Sequence, residues 1–140
     1  MSKLVMMLLV VQVVVGSYLF MSVASSNSRS STARATRLPS LVVFGHSLLG
    51  IIAPVWWVAW LLTADKMWVW VTLGSLLASV AGGLVMAART FGHSDTLHKP
   101  AADPADVRVV EKQIPKSVLL GHGLGATALV GLVLVVGLTS

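Results

Sequence analysis

Residues 41–63 read LVVFGHSLLGIIAPVWWVAWLLT, and none of these 23 residues carries a formal charge. A helix rises about 1.5 Å per residue, so roughly 20 apolar residues cross a hydrocarbon layer about 30 Å thick. Three further uncharged runs, at 4–24, 67–88 and 117–138, have nearly the same length. All 15 charged residues of the 140-residue chain fall outside the four runs. In lipid, backbone polar groups must be satisfied within the segment, so each run is predicted to be a transmembrane helix. The fold expected is an all-α membrane protein: one domain, 1–140, a four-helix transmembrane bundle with loops at 25–40 and 89–116.

Composition agrees with that reading. Hydrophobic residues make up 56% and charged residues 11%, against about 25% charged in an ordinary soluble domain. Mean hydropathy is +0.87. Cysteine is absent, which excludes disulfides, thiolate metal sites and thiol catalysis. A net charge of +5 in so apolar a chain is read as a topology signal facing anionic lipid rather than as a nucleic-acid footprint.

Four crossings put both termini and the Asp65-Lys66 turn on one side of the membrane. The opposite side carries Arg29, Arg34, Arg37, Arg89, Lys99, Arg108, Lys112 and Lys116, eight cations against Lys3 and Lys66. Positive residues mark the cytoplasmic side, so both termini are expected outside the cytoplasm. Trp60, Trp68 and Trp70 flank the turn as an interfacial belt, with Trp56 and Trp57 about one turn deeper. Lys3 before the first run and Ser22-Val23-Ala24 at its end have the form of a cleavable signal. The run is long enough to span, and it is read as a retained helix. Asp103-Pro104 and the spacing of Val107, Val110 and Ile114 predict a short interfacial helix in the second long loop, with a strand as the alternative.

Small residues recur at close-packing intervals: Gly74, Ala78 and Gly82, with Ser75, Ser79 and Gly83 one step round, then Gly121 with Gly125, and Gly123, Thr127 and Gly131. Such rows let backbones approach in lipid and are expected to face other helices of the bundle. Pro54 is expected to kink helix two. Gln12, the most polar group of helix one, is expected to hydrogen-bond across helices.

The informative feature is a repeat. Helix two begins Val42-Val43-Phe44-Gly45-His46-Ser47-Leu48 and helix four Val118-Leu119-Leu120-Gly121-His122-Gly123-Leu124, sharing Val-x-x-Gly-His-x-Leu. Both helices run in the same direction, and each histidine lies about 9 Å inside the cationic side. A parallel repeat relating helices one and two to helices three and four would turn the two imidazoles toward each other.

An ionisable residue within a membrane helix is a functional hypothesis by default. The most concrete chemistry is bis-imidazole ligation of haem b by His46 and His122. Gly50 and Ala53, and Gly125 and Ala126, offer small surfaces beside the two histidines. Arg37, Arg89 and Lys116 stand where propionates would emerge. Such a protein would be a non-catalytic electron-transfer or accessory subunit, partnered by a larger membrane complex or a quinone. The alternatives are a structural or interaction protein whose histidines only bond across helices, and a lipid- or quinone-binding module. His93, Asp95 and His98 form a second, loop-borne metal-ligand string with nothing to fix its geometry. No helix carries a carboxylate and no Gly-x-Ser-x-Gly occurs, so catalysis by the chain's own nucleophile is not expected.

The entry to helix four, with Glu111, Pro115, Val118 and His122-Gly123, resembles small four-helix membrane proteins of actinobacteria. That resemblance covers about a dozen residues and implies a bacterial plasma membrane. In architecture the paired histidines also resemble those of membrane b-type cytochromes.

Overall fold

The structure is a computed structural model, and it describes residues 1–24, 38–91 and 115–139. Four helices account for nearly all of them: α1 (Ser2–Ala24), α2 (Ser40–Thr63), α3 (Met67–Phe91) and α4 (Lys116–Thr139). Among the described residues there is no strand. All four helices are long and apolar enough to cross a membrane, as the sequence predicts. Expected and observed bounds differ most at α3, which continues past Ala88 through Arg89 to Phe91. A helix leaving the hydrocarbon layer keeps its hydrogen bonds, so the first charge marks the membrane border and not the helix end. α2 runs unbroken through Pro54. The expected interfacial helix, the His93, Asp95 and His98 string, and Arg37 lie outside the described residues.

The turn between α2 and α3 is set locally. Ala64 takes the left-handed conformation (φ 54°), and its N–H closes α2 on the Trp60 carbonyl at 2.8 Å. Asp65 then caps α3, its Oδ1 accepting from the Met67 N–H at 2.9 Å. Trp56 and Trp68 stack across this hairpin with centroids 5.4 Å apart and planes 12° from parallel.

Each helix packs against its two neighbours in the ring α1–α2–α3–α4, which leaves α2 and α4 on one diagonal. The outer faces present Leu41, Leu62, Leu124 and many other exposed apolar side chains, as a lipid-facing surface requires. The closed apolar core comprises Val5, Leu9, Ala53, Trp57, Val69, Leu73, Leu76, Leu129, Val133 and Val136. Ala53 and Trp57 stand seven and eleven residues beyond His46, and Leu129 and Val133 stand seven and eleven beyond His122. The two helices therefore share one register against the core, counted from their histidines. Trp57, expected about one turn deeper than the interfacial belt, is part of this core. It is fully buried, and its indole N–H donates to the Ser2 carbonyl at 3.3 Å.

The small-residue rows divide. Gly82 and Gly83 turn inward, while Gly74, Ala78, Gly121, Gly123, Thr127 and Gly131 are exposed on the bundle's outside. The expectation that every row serves helix contacts within the bundle is corrected for these six positions. The helices are apolar nearly all round, so their sequences carry little information about which side faces in.

Candidate functional site

Two turns above the apolar core, the bundle axis becomes polar. His46 from α2 and His122 from α4 meet across the diagonal, their ring centroids 6.1 Å apart and their planes 77° from parallel. The equal depth expected from the repeat is thus realised in space. Both side chains are largely, though not completely, buried.

His46 is held by α3. Its Nδ1 lies 2.7 Å from the Ser79 carbonyl oxygen. A carbonyl only accepts, so Nδ1 carries the proton and Nε2 of the neutral ring carries the lone pair. The Ser79 hydroxyl lies 3.2 Å from the same Nδ1 and donates to the His46 carbonyl at 3.1 Å. Room for the ring comes from two glycines. A Cβ at Gly83 would stand 3.2 Å from His46 Cε1, and one at Gly82 would stand 3.3 Å from His46 Cβ. Ser47, next along the chain, bonds to the Val43 carbonyl on its own helix at 2.9 Å.

His122 is seated on α1. A Cβ at Gly16 would lie 3.4 Å from its Cε1. The arrangement is reciprocal: Gln12, one turn before Gly16, lays its carboxamide on Gly125, one turn after His122. A Cβ at Gly125 would collide with the Gln12 nitrogen. Among the described residues, Gln12 Oε1 and His122 Nδ1 are the buried side-chain polar atoms with no hydrogen-bond partner. The expected interhelical bond from Gln12 Oε1 is not made.

These contacts test the donor set for haem. Two imidazoles face each other on the bundle axis, and His46 makes the bond that commonly orients a metal-ligating ring, Nδ1–H to a backbone carbonyl. Gly125 is covered by Gln12, and Gly50 lies against the Ser79 hydroxyl, 3.8 Å from where a Cβ would be. Gly16, Gly82 and Gly83 lie directly against the imidazoles. Arg89 and Lys116 are exposed at the helix ends nearest the histidines. Among the described residues, no group of three or more His, Cys, Asp or Glu side chains is placed to hold a metal ion.

Sequence reasoning missed Ser79 as the partner of His46, and Gly16 as the seat of His122. A signal for the second was present: Gln12 and Gly16 on α1 mirror His122 and Gly125 on the antiparallel α4, each a polar residue one turn from a glycine. No protein-family model matches the chain, and no curated protein or solved structure is similar to it. The fold and the apolar surface define a small multi-pass membrane protein.

Proposed function

We propose that this protein is a non-catalytic electron-transfer or accessory subunit that holds haem b between His46 and His122. One observation carries the reading: two imidazoles from diagonal helices meet at the bundle axis, at one depth, with centroids 6.1 Å apart. The two imidazoles are the donor pair that would hold the haem iron. His46 would hold the iron through Nε2, its Nδ1 proton being taken by the Ser79 carbonyl. Haem supplies a one-electron redox centre. Gln12, unbranched and covering Gly125, is the side chain that must swing aside on the α4 face. Arg89 and Lys116, with Arg37, are the cations that would neutralise the haem's propionates. In this reading the protein sits in a bacterial plasma membrane, termini outward, and exchanges electrons with a quinone or a larger membrane complex.

A second reading is favoured by a different observation. The bonds from Ser79 to His46, with Gln12 fitted over Gly125, make a polar clasp that joins helices without any cofactor. An optical spectrum in detergent, oxidised and then dithionite-reduced, separates the two. The haem reading expects a Soret band with sharp reduced α and β bands, absent from both His46→Ala and His122→Ala. A colourless protein from haem-replete cells overturns it. The clasp then remains, with each substitution costing about 1–2 kcal/mol of stability.

A further inference from the structure

Building on the haem reading, and resting on it, we infer that the two histidines are unequal ligands: His46 is fixed, and His122 gives way to a small uncharged diatomic molecule. The bundle repeats itself around the two rings. Leu9 and Leu76 are buried three residues before Gln12 and Ser79, and Val5 and Thr72 seven residues before. Gly16 and Gly83, each four residues after, lie against the rings of His122 and His46. α1 and α3 thus present one register to the two imidazoles. What they offer there differs.

His46 turns its Nδ1–Cε1 edge to α3, 3.5 and 3.2 Å from a Cβ at Gly83, and Nδ1 reaches the Ser79 carbonyl at 2.7 Å. The Ser79 hydroxyl donates to the His46 carbonyl at 3.1 Å, so ring and backbone are tied to one residue. His122 turns its other edge to α1, with Cε1 and Nε2 at 3.4 and 3.9 Å from a Cβ at Gly16. Its Nδ1 has no hydrogen-bond partner among the described residues. Gln12, which stands in the register of Ser79, lays its carboxamide on Gly125. A Cβ at Gly121 or Gly123, on either side of His122, would meet nothing within 4 Å among the described residues. A bond from the second ring nitrogen aims a ligating imidazole and raises its basicity, and His46 has that bond where His122 Nδ1 has none.

The surroundings select the class of the incoming molecule. The layer lies within uncharged helix segments, where an anion such as cyanide would be costly to bring and would meet no counter-charge. Neutral diatomics such as carbon monoxide and nitric oxide dissolve in lipid and need none. His122 gives up its bond to the iron and the diatomic takes that position; no electron or proton moves.

The test uses the full chain in lipid bilayers, 15N-labelled at histidine, reduced with dithionite and then exposed to carbon monoxide. The expected result is a shifted Soret band and loss of the sharp α and β bands, at one carbon monoxide per haem. The His46 15N signals should then still report a protonated Nδ1 bonded to a carbonyl, while His122 reports a ring released from iron. A red protein unchanged under saturating carbon monoxide overturns this inference and leaves the haem reading standing. Release of His46 in place of His122 also overturns it, as does a Gln12 carboxamide paired with His122 Nδ1 in the reduced protein. A colourless protein overturns the haem reading, and the displaceable ligand with it. Protein made in haem-free cells supplies a readout without cofactor: the His46 ring should be rigid in the 15N spectrum and the His122 ring should reorient. Equal rigidity of the two rings would overturn the inequality.

Discussion

Toward the Asp65 turn, Val5, Leu9, Trp57, Val69, Val133 and Val136 fill the bundle axis with apolar side chains. Two turns further along the same register, His46 and His122 occupy that axis, with Gln12 and Ser79 beside them, and the opposing surfaces are glycines. The same four helices thus run from a dry, interlocked half into a polar half in which space is made by omitting side chains. In lipid, apolar packing adds only dispersion, so the first half holds by shape together with the Trp57 bond to the Ser2 carbonyl. The second half holds by few, directional bonds and retains two unpaired polar atoms. Stability belongs to one half and chemistry to the other, and mutations can break that division at either end.

The largest effect is expected at Trp57. Its ring is fully buried, lies 4.6 Å from Trp60 by centroid, and donates to the first turn of α1. Trp57→Ala should cost about 3–5 kcal/mol, the range for removing a large aromatic from a close-packed core. Reversible unfolding in mixed micelles measures it. The division of labour predicts that surviving folded protein keeps the His46 and His122 environments unchanged. Disturbed imidazole signals would show that the two halves are coupled.

A smaller, paired effect sharpens the comparison on α4. Gly125→Ala places a methyl against the Gln12 carboxamide, which must leave its seat, at an expected cost of about 1–3 kcal/mol. Gly123→Ala, two residues earlier, meets nothing within 4 Å among the described residues. It should be neutral or up to about 1 kcal/mol stabilising, since alanine is the better helix former. The same unfolding assay reads both. Equal effects at the two positions would mean that α4 is rotated relative to this structure, with Gly123 facing a helix.

How much of this was legible in the sequence follows from what a membrane imposes on a helix. Charge placement locates four spans to within a few residues, because the hydrocarbon layer excludes Lys, Arg, Asp and Glu wherever they would be unpaired. The matched Gly-His motifs give the depth and common direction of His46 and His122. Facing is another matter. Lipid and core are equally apolar, so Leu124 toward lipid and Leu129 in the core look alike along the chain. For the same reason the inward Gly82 and the outward Gly74 and Ala78 read as one row. Ser79 was visible only as a small residue, because its decisive group for His46 is a backbone carbonyl that every residue possesses.

That carbonyl sets up the smallest predicted effect, and the one that best separates positioning from packing. Ser79 contributes two groups to His46: its backbone oxygen, which takes the Nδ1 proton at 2.7 Å, and its hydroxyl, which bonds the His46 carbonyl at 3.1 Å. Ser79→Ala deletes the hydroxyl and keeps the oxygen. The loss should be about 0.6 kcal/mol, the average for an interhelical hydrogen bond in a membrane protein. The His46 15N spectrum should still report a protonated Nδ1 and a free Nε2, because the acceptor that selects this tautomer is untouched. Any haem spectrum present in the parent should persist, with Nε2 still directed to the bundle axis. A loss above about 2 kcal/mol, or a switch of tautomer, would assign the ring's orientation to the hydroxyl. The polar half would then depend on side-chain identity at α3, and the backbone would no longer be the element that aims His46.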